Sequence, residues 1–397
     1  MEISFKNMKR NCEICGSKYS SVIHKQKFVL ENDYLFSYNV VACRRCGFTF
    51  ASNLPSQKKL EVFYKKNVKY AYQHQHGNLP SDAKKLHLDS FKTIDSYLKH
   101  SLHKFNKSTI KVLDIGCATG YLLAVFKKNR YRNLLGIDPS PECSIAAKKL
   151  YSIKVLPLTL SEYKTKEKFD LIILGSVMEH LSELENNLTK ASSLLKENGV
   201  MFISVPDGNN FGKILREPFL EFSLEHINFF TRVSLINLLS KYELKNIKFH
   251  SLALNSYGGY ALNSLWKKSK LKKSITFDKV GKNKITIYIR KSSKKLETIN
   301  NKIKQLIKSK EKIVIWGVGS LTSRLLATTD FKKTNIQFFV DSNANLQGKT
   351  INNLPIKSPD TLKKQKVTVF VSTYIYGQEI KKTLLKEYNF KGKIILL

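Results

Sequence analysis

The sequence has few acidic residues and very few arginines. Its 397 residues include 31 Asp and Glu against 68 Lys and Arg, a formal net charge of +37, and nine of the basic residues are Arg. Such a charge is typical of proteins that bind nucleic acids or other polyanions. Nucleic-acid-binding surfaces, however, depend on the forked hydrogen bonds of Arg, and here Lys is spread along the whole chain. The charge reflects compositional bias or attraction to an anionic substrate, and the shortage of Arg argues against a dedicated nucleic-acid-binding protein.

Long hydrophobic segments are also absent. No apolar run approaches the ~20 residues that a membrane-spanning helix needs, and residues 1–6 lack the hydrophobic core of a signal peptide. We therefore expect a cytoplasmic protein with no membrane insertion. Hydrophobic residues make up 42% and charged residues 25% of the chain, which excludes collagen-like and wholly disordered proteins.

Cysteine is scarce, but four of the six cysteines form two closely spaced pairs. The pairs are Cys12-Glu13-Ile14-Cys15 and Cys43-Arg44-Arg45-Cys46, and a glycine that permits a tight turn follows each. Two such turns can direct four thiolates, from Cys12, Cys15, Cys43 and Cys46, at one tetrahedral ion. In a reducing compartment we expect a structural zinc site rather than disulfides, with iron or a redox role as alternatives. The other two, Cys117 and Cys143, are predicted to be core or turn residues.

An aromatic segment follows the cysteine pairs. Residues 63–76 contain several tyrosines and histidines, and Ser81-Asp82 is typical of a helix start. The tyrosines either pack between domains or form a lid that contributes a hydroxyl group to an active site.

The middle of the chain has the pattern of a nucleotide-binding βαβ unit. An apolar strand ends at Asp114, a turn containing Gly116 and Gly120 follows, and a second strand ends at Asp138. Glycines let the backbone approach a ligand closely, and the second acid can accept hydrogen bonds from ribose hydroxyls. Strands and helices alternate further along the chain, so we predict a doubly wound parallel sheet with ligands at the carboxyl ends of its strands.

The Asp-x-Gly-x-x-x-Gly spacing of this turn resembles motif I of class I S-adenosylmethionine-dependent methyltransferases. The resemblance implies that Asp114 and the Gly116–Gly120 turn, with Cys117, hold the amino-acid half of the cofactor. It also implies that Asp138 holds the ribose. Pro139 and Gly175 complete the expected set of cofactor-binding residues.

Two Glu-His pairs follow later strands, at Glu179-His180 and Glu225-His226. Each is either a satisfied core histidine beside an acid or part of an active site. Many methyltransferases of small molecules use a histidine here to accept the proton of the acceptor, and two pairs near one cleft favour the second interpretation.

The C-terminal third contains another strand, glycine turn and helix. The strand Ile313–Trp316 precedes Gly317 and Gly319, and a later strand ends at Asp341. The pattern is Rossmann-like, but it lacks the third glycine of a dinucleotide site. We expect a substrate-holding or scaffolding domain rather than one that binds NAD. Any contact with a ligand should involve the turn at Gly317–Ser320 and Tyr374.

Over nearly its full length the sequence resembles the sugar C-methyltransferases, through the four cysteines, motif I, the Glu-His-x-x-x-Phe segment and the C-terminal α/β domain. The resemblance implies an α/β fold with a class I methyltransferase (Rossmann-like) core. It implies that His226 is a general base with Glu225 as its neighbour, that His180 contacts the enolate or substrate, and that Tyr72 supplies a hydroxyl group. The expected domains are a zinc module (1–55), a helical and aromatic connecting segment with a lid (56–105), the methyltransferase domain (106–250), a Lys-rich connection (251–310) and the C-terminal domain (311–397).

The expected reaction is therefore methylation of a carbon in a nucleotide-linked keto-deoxysugar, through an enolate, in surface-polysaccharide or deoxysugar biosynthesis. Methylation of oxygen or nitrogen in a related sugar precursor is the alternative, and an RNA methyltransferase with a zinc module is a more distant one. The sequence does not define the sugar or the oligomeric state.

Overall fold

A computed structural model describes residues 10–54, 79–101, 106–256, 258–270, 273–363 and 365–397. By their internal contacts the residues form two compact units. The first contains the described residues within 1–21, 41–211 and 225–285, and the second contains residues 22–40, 212–224 and the described residues of 286–397. No helix in the described part of the chain is both long enough and apolar enough to cross a membrane.

Seventeen strands and eight α-helices are described. The strands are β1 (Ser20–Val29), β2 (Leu35–Cys43), β3 (Thr49–Ser52), β4 (Lys111–Ile115), β5 (Asn133–Ile137), β6 (Val155–Leu156), β7 (Phe169–Gly175), β8 (Leu195–Pro206), β9 (Asn228–Phe229), β10 (Leu244–Leu254), β11 (Gly259–Lys268), β12 (Ile313–Trp316), β13 (Ile336–Val340), β14 (Thr350–Ile351), β15 (Leu354–Lys357), β16 (Thr368–Val371) and β17 (Ile394–Leu396). The helices are α1 (Ser81–Ser101), α2 (Tyr121–Lys128), α3 (Pro141–Tyr151), α4 (Leu184–Leu194), α5 (Arg232–Leu239), α6 (Lys279–Ser309), α7 (Ser320–Thr328) and α8 (Gly377–Lys382).

The first unit is built on a seven-stranded sheet in the order β10-β11-β8-β7-β4-β5-β6. The pairs β6–β5, β5–β4, β4–β7 and β7–β8 are parallel, whereas β11 is antiparallel to both β8 and β10. Its central strands are runs of β-branched and other apolar residues with both faces buried, as parallel strands covered by helices require. The predicted doubly wound sheet is confirmed, with one reversed strand near an edge.

The C-terminal limit of this sheet differs from the prediction. Residues 251–310 were expected to connect two domains, but strand β11 pairs with β8 from Ala261–Pro206 to Lys267–Val200. The methyltransferase core therefore extends beyond residue 250. The lysines that follow Trp266 led to the prediction of an exposed connection here. The preceding residues of the strand, Ala261 to Trp266, are buried.

The cysteine segment is not a separate domain either. Residues from both cysteine pairs share a hydrophobic core with the sheet, and strand β3 pairs with β9. The stretch between the pairs, residues 22–40, belongs by its contacts to the second unit. The predicted boundary at residue 55 therefore does not separate a compact module.

The second unit contains a parallel sheet in the order β15-β13-β12-β16-β17, with β14 antiparallel at its edge. Helix α7 follows the Gly317–Gly319 turn, and α6 packs Ile299 and Ile303 into the same core. The predicted Rossmann-like pattern of this part is confirmed. Arg324 of α7 is 1% exposed and donates hydrogen bonds to three backbone carbonyls, those of Pro218, Phe219 and Phe222.

Candidate functional site

The glycine turn after β4 is a close-packed cradle at the carboxyl end of the sheet. Gly116, Ala118 and Gly120 have positive φ angles of 69°, 47° and 73°. A Cβ atom on Gly116 would lie 2.5 Å from Cγ2 of Val177, so no side chain fits there. Glycine is therefore needed at position 116 for two reasons: it adopts the left-handed conformation easily, and it leaves room for Val177 in the loop after β7.

Asp138 closes the cradle from the end of β5. Its Oδ2 accepts a hydrogen bond from the Ala118 N–H at 2.9 Å, and its Oδ1 accepts one from the Ser140 N–H at 3.0 Å. Each oxygen of a carboxylate has a second lone pair, so the same side chain can still accept two ribose hydroxyls. Ser140 also caps α3, with Pro141 at the first helical position, so the helix start holds this acid in place.

Two acids, Asp114 and Asp138, are close together in a mostly buried part of this turn. Asp114 is 4% exposed, and its burial, together with the nearby charge of Asp138, raises its pKa well above the usual value. Burial likewise raises the pKa of Asp138. A cationic ligand would relieve both effects, whereas a pyrophosphate would worsen them. The electrostatics therefore fit S-adenosylmethionine, which carries a sulfonium and an ammonium group, better than a dinucleotide.

The remaining predicted cofactor residues lie around this turn. The Cys117 side chain lies against Gly136, where a Cβ would be 2.5 Å from its sulfur, so the residue can offer a ligand only its backbone. Pro139 directly follows Asp138. Gly175 ends β7 and pairs with Ser204 of β8, one residue beyond the level of Ile115.

The structure brings the two predicted histidines together. The rings of His180 and His226 meet edge to face, with centroids 5.0 Å apart. His180 belongs to the short turn Met178–His180, which begins directly after Val177, the residue that contacts Gly116. His180 is therefore three residues along the chain from the contact between Val177 and the Gly116–Gly120 turn.

Hydrogen bonds fix the backbone around both histidines. The Ile227 N–H donates to the Glu179 carbonyl at 2.8 Å, and the Asn228 amide donates to the carbonyls of Met178 and Leu181. His180 Nδ1 lies 3.0 Å from the Glu225 carbonyl. Because a carbonyl oxygen can only accept, Nδ1 of His180 carries a proton and donates this hydrogen bond.

Glu179 lies beside the histidine pair. It is 1% exposed, and its Oε1 lies 4.0 Å from His180 Nε2. Ligand atoms of Glu179, His180 and His226 all lie within 4.8 Å of one another. Glu225, which the sequence paired with His226, contributes its backbone carbonyl to His180. Tyr72, the predicted source of a hydroxyl group, lies outside the described residues.

Four cysteine sulfurs form a second cluster in the same unit. The Cys12 and Cys46 sulfurs are 3.5 Å apart, as are those of Cys15 and Cys43, and all four lie within 4.8 Å of one another. Sulfurs bound tetrahedrally at about 2.3 Å from one ion would be about 3.8 Å apart. The contact between Cys12 and Cys46 lowers the pKa of Cys12 and raises that of Cys46, as expected for one proton shared by two sulfurs. This geometry fits a four-thiolate ion such as zinc, and the sulfurs are farther apart than the about 2 Å of a disulfide bond.

Two residues that the sequence analysis missed tie the cysteine loop to the histidine segment. The Arg10 guanidinium donates to the carbonyl of Ala51 and to Oδ1 of Asn228. Glu13, between the first two cysteines, pairs with Arg10 and accepts a hydrogen bond from the Leu184 N–H at the start of α4. The only feature of the sequence that could have drawn attention to Arg10 is its place two residues before Cys12.

The second unit repeats the turn geometry of the first. Gly317 has a φ angle of 104°, and the Val318 N–H donates to Oδ2 of Asp341 at 2.8 Å, as Ala118 does to Asp138. The predicted turn at Gly317–Ser320 is therefore formed. The Nζ atom of Lys295 lies over the aromatic ring of Tyr374, 4.5 Å from the centroid of that ring.

Two family models match the chain. Residues 90–248 match the model described as "Methyltransferase domain", and residues 309–395 match one described as "C2185-like, N-terminal". The matched segments cover the core of the first unit and the sheet of the second.

Similar proteins include several methyltransferases. A ubiquinone biosynthesis O-methyltransferase of Rhodopseudomonas palustris (strain HaA2) is 33% identical over 108 residues, which cover 26% of this chain and 42% of that protein. An (S)-coclaurine N-methyltransferase of Papaver somniferum is 31% identical over 118 residues, 28% of this chain and 32% of that protein. The chain thus spans less than half the length of these curated relatives.

Among solved structures, a Burkholderia thailandensis 1,6-didemethyltoxoflavin-N1-methyltransferase with bound S-adenosylhomocysteine is similar at 16% identity and a TM-score of 0.43. The similarity covers 56% of this chain and 96% of that one. The family match over residues 90–248 and the strand order of the first unit show a methyltransferase domain with a class I, Rossmann-like fold.

Proposed function

We propose that the protein transfers a methyl group from S-adenosylmethionine to a carbon next to the keto group of a nucleotide-linked deoxysugar, in surface-polysaccharide or deoxysugar biosynthesis. The observation that carries this proposal is the His180–His226 pair beside the cofactor turn. Carbon acids need a positioned base before they can attack a methyl group, and imidazole titrates near neutral pH.

The two histidines can divide the proton chemistry between them. His226 would remove the proton from the carbon, which leaves an enolate. A proton on His180 Nε2 would face the buried Glu179 carboxylate across 4.0 Å, so that carboxylate stabilises the charged ring. His180 would therefore act as the hydrogen-bond donor to the enolate oxygen, with Glu225 holding its ring through Nδ1.

The cofactor-binding residues would orient the donor. Asp138 would accept the ribose hydroxyls, and the Gly116–Gly120 turn with Asp114 would hold the amino-acid end. S-adenosylmethionine supplies an electrophilic methyl group on a sulfonium centre. Asp114 is 4% exposed, so its carboxyl group has little contact with water.

The four cysteines would hold a structural zinc ion. A site with four thiolate ligands leaves no coordination position for a substrate. Because the second pair leads into β3 and β3 pairs with β9, the ion would act on catalysis only by holding the segment that follows His226.

Oxygen or nitrogen methylation of a related sugar precursor is the second candidate. It is favoured by the relatives, which are an O-methyltransferase and an N-methyltransferase. A hydroxyl or amine acceptor is more acidic or more nucleophilic than a carbon, so it would need one base and no enolate donor.

The proposal is tested by incubating the protein with S-adenosylmethionine that carries a deuterated methyl group and a panel of nucleotide-linked keto-deoxysugars. We expect mass spectrometry to show one labelled methyl group on a sugar nucleotide, and NMR to place it on carbon. A methyl group on oxygen or nitrogen would establish the second candidate. Binding of the cofactor with no transfer to any sugar nucleotide would refute the sugar substrate.

A further inference from the structure

An exposed segment of the first unit combines apolar and basic side chains. We define the docking loop as residues 273–280, between the end of β11 and the first turn of α6. Ile275, Phe277 and Val280 are 39%, 44% and 57% exposed. These are three of the eleven large hydrophobic residues that are exposed in the described part of the chain, and they fall within six positions.

Hydrogen bonds hold these apolar side chains outward. The buried Asn237 side chain accepts from the Thr276 N–H and donates to the Thr276 carbonyl. The Asp278 N–H donates to the Cys46 carbonyl at 2.9 Å, and its carboxylate accepts from the Gly281 N–H and the Thr231 hydroxyl. These hydrogen bonds hold the backbone at residues 276 and 278 against the protein, and the side chains of Ile275 and Phe277 beside them are exposed. The exposure is therefore built into a fixed loop.

The charge around the loop has one sign. Between Glu243 and Glu297, Asp278 is the single acidic residue, and it is 2% exposed. Lys270, Lys273, Lys279 and Lys284 are all exposed. Within this stretch of the sequence the described residues thus present exposed lysines and hydrocarbon, and the one acid, Asp278, is buried.

We propose that the docking loop binds the protein peripherally to an anionic lipid bilayer, with Ile275, Phe277 and Val280 entering the headgroup region and the lysines meeting lipid phosphates. Apolar side chains flanked by lysines are the pattern that a bilayer interface accommodates. A nucleic acid would use the lysines but would leave Ile275 and Val280 unused, because aliphatic side chains offer no ring for bases to stack on. This inference does not depend on the methyl acceptor.

The test is co-sedimentation of the full chain with vesicles. We expect binding to phosphatidylcholine vesicles that contain phosphatidylglycerol and none to pure phosphatidylcholine. The double variant Ile275→Ser/Phe277→Ser should lower the partition coefficient by about tenfold or more, since it removes the apolar groups that enter the bilayer. Replacing Lys273 by Gln should lower it by about fivefold.

The matched control is Ile145→Ser, on the surface of α3, where the side chain is 67% exposed away from the docking loop. Its vesicle binding should equal that of the unaltered protein, and thermal melting should show that every variant is folded. No binding to anionic vesicles, or equal loss in the control and the double variant, would overturn the proposal. Binding to a single-stranded RNA that the double variant loses would assign the loop to nucleic acid instead.

Discussion

Asp114 and Asp138, the two acids at the Gly116–Gly120 turn, show which features of single residues can be predicted from the sequence. Asp114, Gly116, Gly120 and Asp138 were predicted to form one local group, and the structure places them in one unit, because strand, turn, helix and strand follow one another within 30 residues. In such a unit the chain connectivity itself brings the acid of the second strand to the turn after the first.

Residues joined across long stretches of sequence were harder to predict. The sequence singled out both histidines as candidates, but the position of Glu179 beside them involves the hydrogen bond between Ile227 and Glu179, 48 positions apart. Arg10 contacts Asn228 from 218 positions away. No local pattern records such a contact, because it is decided by how the elements pack.

At the residue scale, replacing His226 by Ala should lower kcat by about 10²- to 10⁴-fold and leave the Kd for S-adenosylmethionine unchanged, because the variant loses a base and no cofactor contact. Steady-state kinetics with the acceptor found by mass spectrometry would measure the first, and calorimetry the second. His250→Ala is the matched control, since His250 is an exposed histidine that also faces an acid, Asp89. Normal turnover in His226→Ala would exclude its role as the base.

At the scale of elements, the sequence predicted that the four cysteines lie together. It did not predict that their segment packs against the sheet of the first unit. The Cys-x-x-Cys spacing fixes where the thiols point, since each pair is a tight local turn with glycine at a positive φ angle. The pairing of β3 with β9 could not be predicted, because two strands of four and two residues leave little pattern. Strand β11 was also missed, because the lysines at its end made the segment resemble an exposed connection.

Removal of the metal should therefore affect more than the cysteine turns. In Cys12→Ser we expect about one zinc ion per chain to be lost, the melting temperature to fall, and kcat to fall because β3 no longer holds the segment after His226. Metal analysis by mass spectrometry and thermal melting would measure the first two.

The matched control for this prediction is Cys143→Ser, a buried cysteine of α3 outside the cluster. It should keep its zinc. Equal metal content in the two variants, or no zinc in the unaltered protein, would contradict the assignment of the cluster.

At the scale of the whole molecule, the chain uses one turn design twice. In each unit an acid at the end of the second strand accepts a hydrogen bond from the glycine turn, Asp138 from Ala118 and Asp341 from Val318. The sequence predicted both turns and distinguished them by their glycine spacing. It could not predict that residues 22–40 and 212–224 would join the second unit, because neither stretch carries a motif.

The central claim is that the first of these turns, and not the second, binds S-adenosylmethionine. Isothermal titration calorimetry on the full chain tests it most directly, with Asp138→Ala compared with Asp341→Ala. We expect one cofactor per chain, a Kd about 10- to 100-fold weaker in Asp138→Ala because charged hydrogen bonds to the ribose are lost, and an unchanged Kd in Asp341→Ala. Unchanged affinity in Asp138→Ala, or a loss confined to Asp341→Ala, would contradict the account.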